Sequence, residues 1–129
     1  MKAIKVNTSS REELKDITTQ VKSAVDEIGL EDGICVLYVP HTTAGITINE
    51  SADPDVATDI VGQLEKIAPR GEGYRHREGN ADAHIKSSLI GNTSRILVEK
   101  GNLQLGTWQG VFFAEFDGPR SRKVWIKAS

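Results

Sequence analysis

Gly33-Ile-Cys-Val-Leu-Tyr-Val39, then Thr43-Ala-Gly-Ile-Thr-Ile-Asn49, then Asp53-Pro54 is the stretch that sets the architecture. The first run is apolar throughout and ends at Pro40, the pattern of a strand buried on both faces. The second alternates, with Ala44, Ile46 and Ile48 on a core side and His41, Thr43, Gly45, Thr47 and Asn49 opposite if the extended chain begins at His41. Asp53-Pro54 is a helix start, aspartate as the cap and proline at the first helical position. Val56, Ile60, Leu64 and Ile67 then supply the stripe this helix is expected to bury.

Upstream, Met1 to Thr8 alternates weakly through Ile4 and Val6 as a first strand, and Glu12 to Thr18 reads equally as a short strand or a helix entry. Val21, Ala24, Val25 and Ile28 follow the i, i+3, i+4, i+7 rule of a helix that Gly29 closes. Downstream, residues 68–79 form a Gly- and charge-rich loop, and Asn80 to Ile90 a short helix ended by Gly91-Asn92. Arg95 to Glu99 is a strand, Lys100-Gly-Asn102 a turn, Leu103 to Phe116 a glycine-interrupted strand pair or bent strand, and Lys123 to Lys127 a closing strand. Three helices among strands in this order give an α+β fold with a mostly antiparallel sheet, expected as one domain over residues 1–129.

Composition narrows the function classes. A net charge of −2, with acids and bases mixed along the chain, argues against a nucleic-acid partner. Arg120-Ser-Arg-Lys123 alternates with Val124 and Ile126 and reads as the solvent side of a strand. No segment approaches the ~20 apolar residues of a membrane span, and no signal peptide is apparent, so the expected location is the cytoplasm. Cys35 is alone, inside an apolar run, and reads as core.

Three places carry candidate chemistry. The odd-numbered face from His41 to Asn49 is polar without charge, which suits a ligand pocket or a subunit interface. In the 80–90 helix, Ala81, Ile85 and Leu89 are expected inward and the Asp82–Lys86 i, i+4 pair outward, leaving Asn80, His84, Ser87 and Ser88 to face a site. His76 lies in the loop before that helix. Neutral imidazoles are common ligands for zinc and similar ions, so His41, His76 and His84 are the candidate metal set, although 41…76…84 is not a metal motif by spacing. Third, Gly106 and Gly110 imply bulges or close backbone approach, Trp108 and Gln109 are candidates for a pocket wall, and Arg120 for a phosphate or carboxylate clamp.

Several blocks together resemble the YjbQ family, sometimes labelled secondary thiamine-phosphate synthase. They are His41-Thr-Thr-Ala-Gly-Ile-Thr-Ile-Asn-Glu50, Ala52-Asp-Pro-Asp55, Tyr74-x-His76, Ala83-His-x-Lys86 with Gly91 and Ser94, Gly106-Thr-Trp-Gln109 and Pro119-Arg-x-Arg122. The resemblance implies a sandwich-like α+β fold assembled as a homotrimer, with a metal or anion site near subunit boundaries. Carried across position by position, that site comprises His41, His76 and His84, lined by Asn49, Glu50, Lys86, Trp108, Gln109 and Arg120. The implied reaction joins a pyrimidine diphosphate to a thiazole phosphate, and such a displacement of pyrophosphate needs a divalent cation or Arg and Lys donors.

Two functional expectations follow. In the first, an enzyme acts on a phosphorylated or pyrophosphorylated small molecule, with His41, His84, Lys86 and Arg120 in catalytic roles. Thr43, Asn49, Glu50, Asn80, Trp108 and Gln109 then contact the ligand, and His41, His76 and His84 hold zinc, manganese or magnesium. Three histidines suit zinc, manganese or iron better than magnesium. Asp53 and Asp55 are better explained by the helix start than as magnesium ligands. In the second, the same pocket belongs to a non-catalytic trimeric binding module for a small phosphorylated metabolite or a metal, since no nucleophile or acid–base carboxylate pair is assignable. A third possibility gives the polar faces to trimer assembly alone.

Overall fold

The computed structural model describes residues 1–71 and 73–129. Eight strands form two antiparallel sheets. One has the order β1 (Lys2–Asn7), β8 (Ser121–Ala128), β3 (Gly33–Tyr38), β5 (Thr93–Glu99), β6 (Asn102–Leu103). The other has the order β2 (Glu13–Asp16), β7 (Gln109–Glu115), β4 (Ala44–Glu50). The ambiguous stretch after Glu12 is therefore a strand. The region from Leu103 to Phe116 divides between two sheets, and Lys100 and Gly101, both left-handed (φ 53° and 78°), make the tight turn into β6.

The principal core lies between the sheets, where Cys35, Leu37, Val124 and Ile126 meet Ala44, Ile46, Val111 and Phe113. The helix α1 (Thr18–Ile28) adds Val21, Ala24 and Val25 to it and ends at Gly29 in the left-handed conformation (φ 70°). A second cluster covers the outer face of the three-stranded sheet. There Leu64 of α2 (Pro54–Ile67) and Ala83 of α3 (Ala81–Ile90) pack on Ala114 and Phe116. The Asp53 carboxylate caps α2 by accepting from the Asp55 N–H at 2.9 Å, as its sequence required.

Four expectations need correction. β3 is covered on one face only: Cys35 and Leu37 are buried, while Tyr38 is 40% exposed and stacks on Trp125. On α2 only Leu64 of the stripe is buried, and Ile67 is exposed, because the helix rests on the edge of a narrow sheet. β8 places Arg122 inward beside Val124 and Ile126, leaving Lys123 and Lys127 outside. Most consequential, α3 is turned the other way. Asp82, Ala83, Lys86 and Ser87 are buried, whereas Ile85 and Leu89 are exposed. The Asp82–Lys86 pair, which by spacing looked made for solvent, faces inward because carboxylates from two other elements wait for the lysine.

Candidate functional site

The end of α3 docks on β4 through backbone. Ile46 donates its N–H to the Gly91 carbonyl at 3.0 Å, and a Cβ on Gly45 would stand only 2.5 Å from that same oxygen. Gly45 thus sits on the helix-facing side of β4, and α3 covers the face at that point, while Asn49 further along it is exposed. This seam brings α3 beside the residues before β4 and leaves a cleft of about 510 Å³ lined by His41, Thr42, Ala44, His84, Ser87, Ser88, Gly91 and Asn92.

Each wall is held locally. Ser87 donates to the Thr42 carbonyl at 2.6 Å and so ties α3 to the segment carrying His41. Ser88 donates to the carbonyl of His84 at 2.9 Å. His41 precedes the regular strand, and its Nε2 accepts the Lys123 backbone N–H at 3.0 Å. Burial first, then the charge of Arg122 with smaller contributions from Lys123 and Arg120, holds the His41 imidazole below the ordinary histidine value, with Glu115 opposing. Among the described residues, no carboxylate lines the cleft.

Behind His41 lies a buried ion pair joining the two sheets. Arg122 donates through Nε to Glu115 at 2.8 Å and through Nη2 to its second oxygen, and also to Thr43 Oγ1 at 2.9 Å. Thr8 Oγ1 and the Phe116 and Asp117 N–H groups donate to the same carboxylate. Burial raises the Glu115 pKa, but Arg122 and these donors more than offset it, so the group stays ionised. Thr43, expected at the ligand, is consumed by this pair. A lone acid inside Val111-Phe-Phe-Ala-Glu-Phe116 was the sequence signal for it, since a charge in an apolar run requires a partner.

The other proposed residues divide. His76 does come back onto α3, its ring meeting that of His84 edge to face at 5.2 Å between centroids. It lines a neighbouring depression with Tyr74, Arg77 and Ala81 rather than the His41 cleft. Asn80 and Arg120 meet at Asp117: the Asn80 amide donates to Oδ2 at 2.9 Å and Arg120 Nη2 to the same oxygen at 3.0 Å. Lys86 faces away, two residues and therefore about 200° round the helix from His84. Its ammonium is fully buried and donates to Asp82 at 2.8 Å, to Glu65 at 2.6 Å and to Glu12. Asn49, Glu50, Trp108 and Gln109 stand at the opposite end of the β4–β7 ladder, where Glu50 is paired with Gln109. Six strand steps at ~3.3 Å put them about 20 Å from the start of β4. There Gln109 accepts the Gly106 N–H at 2.8 Å, and Trp108 is 63% exposed. Gly91 and Asn92 read in the sequence as a helix stop and Thr42 as part of the extended segment from His41, and nothing local in the sequence marks them as cleft residues.

Nitrogens sharing one zinc ion at ~2 Å each lie within about 3.5 Å of one another. Among the described residues, the one group of three His, Cys, Asp or Glu ligand atoms closer than 4.8 Å is Glu12, Glu65 and Asp82, and Lys86 already occupies their centre. His41, His76 and His84 do not form such a group within one chain.

Comparison with known proteins gives a consistent picture. A family model described as UPF0047 protein YjbQ-like matches residues 2–129. The UPF0047 protein MJ1081 of Methanocaldococcus jannaschii is 56% identical over 95% of this chain and 88% of its own length. UPF0047 protein YugU of Bacillus subtilis is 48% identical over 98% and 97%. Among solved structures, a YjbQ/UPF0047 protein of Clostridium acetobutylicum superposes with a TM-score of 0.96 at 53% identity, covering 100% of both chains. The conserved hypothetical protein TT1486 of Thermus thermophilus gives 0.94 at 46%, again over both chains in full.

Proposed function

The chain belongs to the UPF0047 YjbQ-like family, and from that premise and the chemistry of the cleft we propose that it binds a small phosphorylated metabolite between His41 and His84. The observation that carries this reading is the composition of the cleft wall: two imidazoles, two serines, Thr42 and Asn92, with no carboxylate among the described residues. Behind that wall the charges of Arg122, Lys123 and Arg120 act on His41. The two serine hydroxyls are taken by backbone carbonyls, so the imidazoles, Thr42 and the Asn92 amide are left as donors. With a field at His41 in which Arg122, Lys123 and Arg120 outweigh Glu115, they favour an anion. Arg120 is half exposed and oriented by Asp117 through Nε and Nη2, and its charge reaches His41 although it does not line the cleft.

Acid–base work by His41 and His84 on a bound phosphate ester is the enzymatic form of this proposal. The thiamine-phosphate reaction implied by the family label is one candidate within it. Lys86 is committed to three carboxylates and cannot serve the leaving group. The burden of charge stabilisation in that reaction would rest on Arg120 and the imidazoles. A binding module without turnover uses the same contacts.

Calorimetric titration with inorganic phosphate, pyrophosphate and a simple phosphomonoester tests the proposal. Saturable binding at one site per chain is expected, weakened roughly tenfold or more by His84→Ala, since a hydrogen bond to a charged group contributes about 1.5–3 kcal/mol. Binding unaffected by His84→Ala would refute it. Incubating the same mixtures and assaying for released phosphate separates enzyme from binder.

A further inference from the structure

The state of the His41 ring can be read from its one hydrogen-bond partner among the described residues. A backbone N–H can only donate, so the Lys123 amide at 3.0 Å requires a lone pair on Nε2. The proton of the neutral ring is then on Nδ1. No described residue accepts it, and the ring lines the cleft. A metal ion needs a lone pair on the nitrogen it binds. In this ring Nε2 has given its lone pair to Lys123 and Nδ1 carries hydrogen. The geometry agrees with the separation of the three histidines, whose ligand atoms do not gather into one group among the described residues.

Resting on the phosphate-binding reading above, we infer that His41 is a fixed hydrogen-bond donor that contacts the bound anion directly through Nδ1–H, and that the cleft binds its ligand without a metal ion. The Lys123 amide is part of the device: it belongs to β8, whose register with β3 (Tyr38 opposite Trp125, Leu37 opposite Ile126) fixes its place beside the segment leading out of β3. The ligand class is an oxyanion with at least one oxygen free of metal, a phosphate monoester or pyrophosphate end being the simplest.

Nitrogen-15 spectra of the full-length labelled protein in chelator test the first half without any ligand. His41 should show a protonated Nδ1 and an unprotonated Nε2; the opposite tautomer would overturn the inference and leave phosphate binding untouched. Calorimetry with inorganic phosphate, in chelator and then with added zinc, tests the second. Equal affinity in both is expected. Binding seen only with zinc would overturn the inference while sparing the phosphate reading, and no phosphate binding under either condition would remove both. Among variants, His41→Asn keeps an N–H near the position of Nδ1 and should bind phosphate within a few fold of wild type. His41→Leu should lose roughly tenfold or more. Equal losses in the two would contradict the assignment, and should His41→Leu fail to fold, the spectrum and the asparagine variant decide.

Discussion

His41 is packed against positive charge, and that has a consequence for stability as well as for binding. Its folded pKa lies below the unfolded value of about 6.5 because burial, then Arg122, disfavours the imidazolium. Below that value the unfolded chain binds the proton more readily, so this residue's contribution is complete above pH 6.5 and is lost as pH falls toward the folded pKa. Urea midpoints at pH 7.5 and 5.5 should therefore fall further in wild type than in His41→Asn; identical falls would contradict the assignment. Cys35 makes a simpler case. Burial pushes its thiol up to about 11, so a disulfide reagent at pH 8 should label the protein only after denaturation. Cys35 was legible as core from its apolar neighbours, whereas the condition of His41 was not, because Lys123 and Arg122 lie more than eighty residues away and meet it only through β8.

α3 shows how an element can be found correctly and oriented wrongly. Its limits followed from Asn80 and Gly91, and of the stripe Asn80, His84, Ser87 and Ser88 the last three line the cleft while Asn80 turns to Asp117. Its inward face was misread because Asp82 and Lys86 at i, i+4 look like any solvent pair until Glu12, Glu65 and Arg11 arrive from distant sequence. Burial lowers the Lys86 pKa, but the three carboxylates more than reverse it, so the ammonium is retained. Lys86→Met leaves Asp82, Glu65 and Glu12 facing one another around an apolar group. Removing one partner of a buried ion pair costs about 3–5 kcal/mol, so a loss of that size is expected from urea unfolding, and a loss near zero would show the network to be unimportant. The same measurement on Gly45→Ala should give about 1–3 kcal/mol, because the new methyl group meets the Gly91 carbonyl at the seam that shapes the cleft.

For the molecule as a whole, the antiparallel strands were readable because alternation and turn residues marked nearly every one of them. The partition of strands between sheets was not, since that choice depends on pairing at long range. The proposed site residues occupy both ends of the β4–β7 ladder, the histidines at one and Trp108 with Gln109 at the other. Apolar side chains are exposed near both, Ile85 and Leu89 on α3 and Trp108 beyond β6. The homotrimer expected from the family resemblance would cover such surfaces. Native mass spectrometry should then give three times the 14.1 kDa chain mass, falling to one in Leu89→Glu if α3 lies at the contact.

The central claim, an anion held between His41 and His84, is tested most directly by following backbone amide resonances while pyrophosphate is added. Shifts concentrated at Thr42, His84, Ser88, Gly91 and Asn92, saturating together, are the predicted result. Shifts centred on Gly106 to Gln109, with the cleft residues silent, would contradict it.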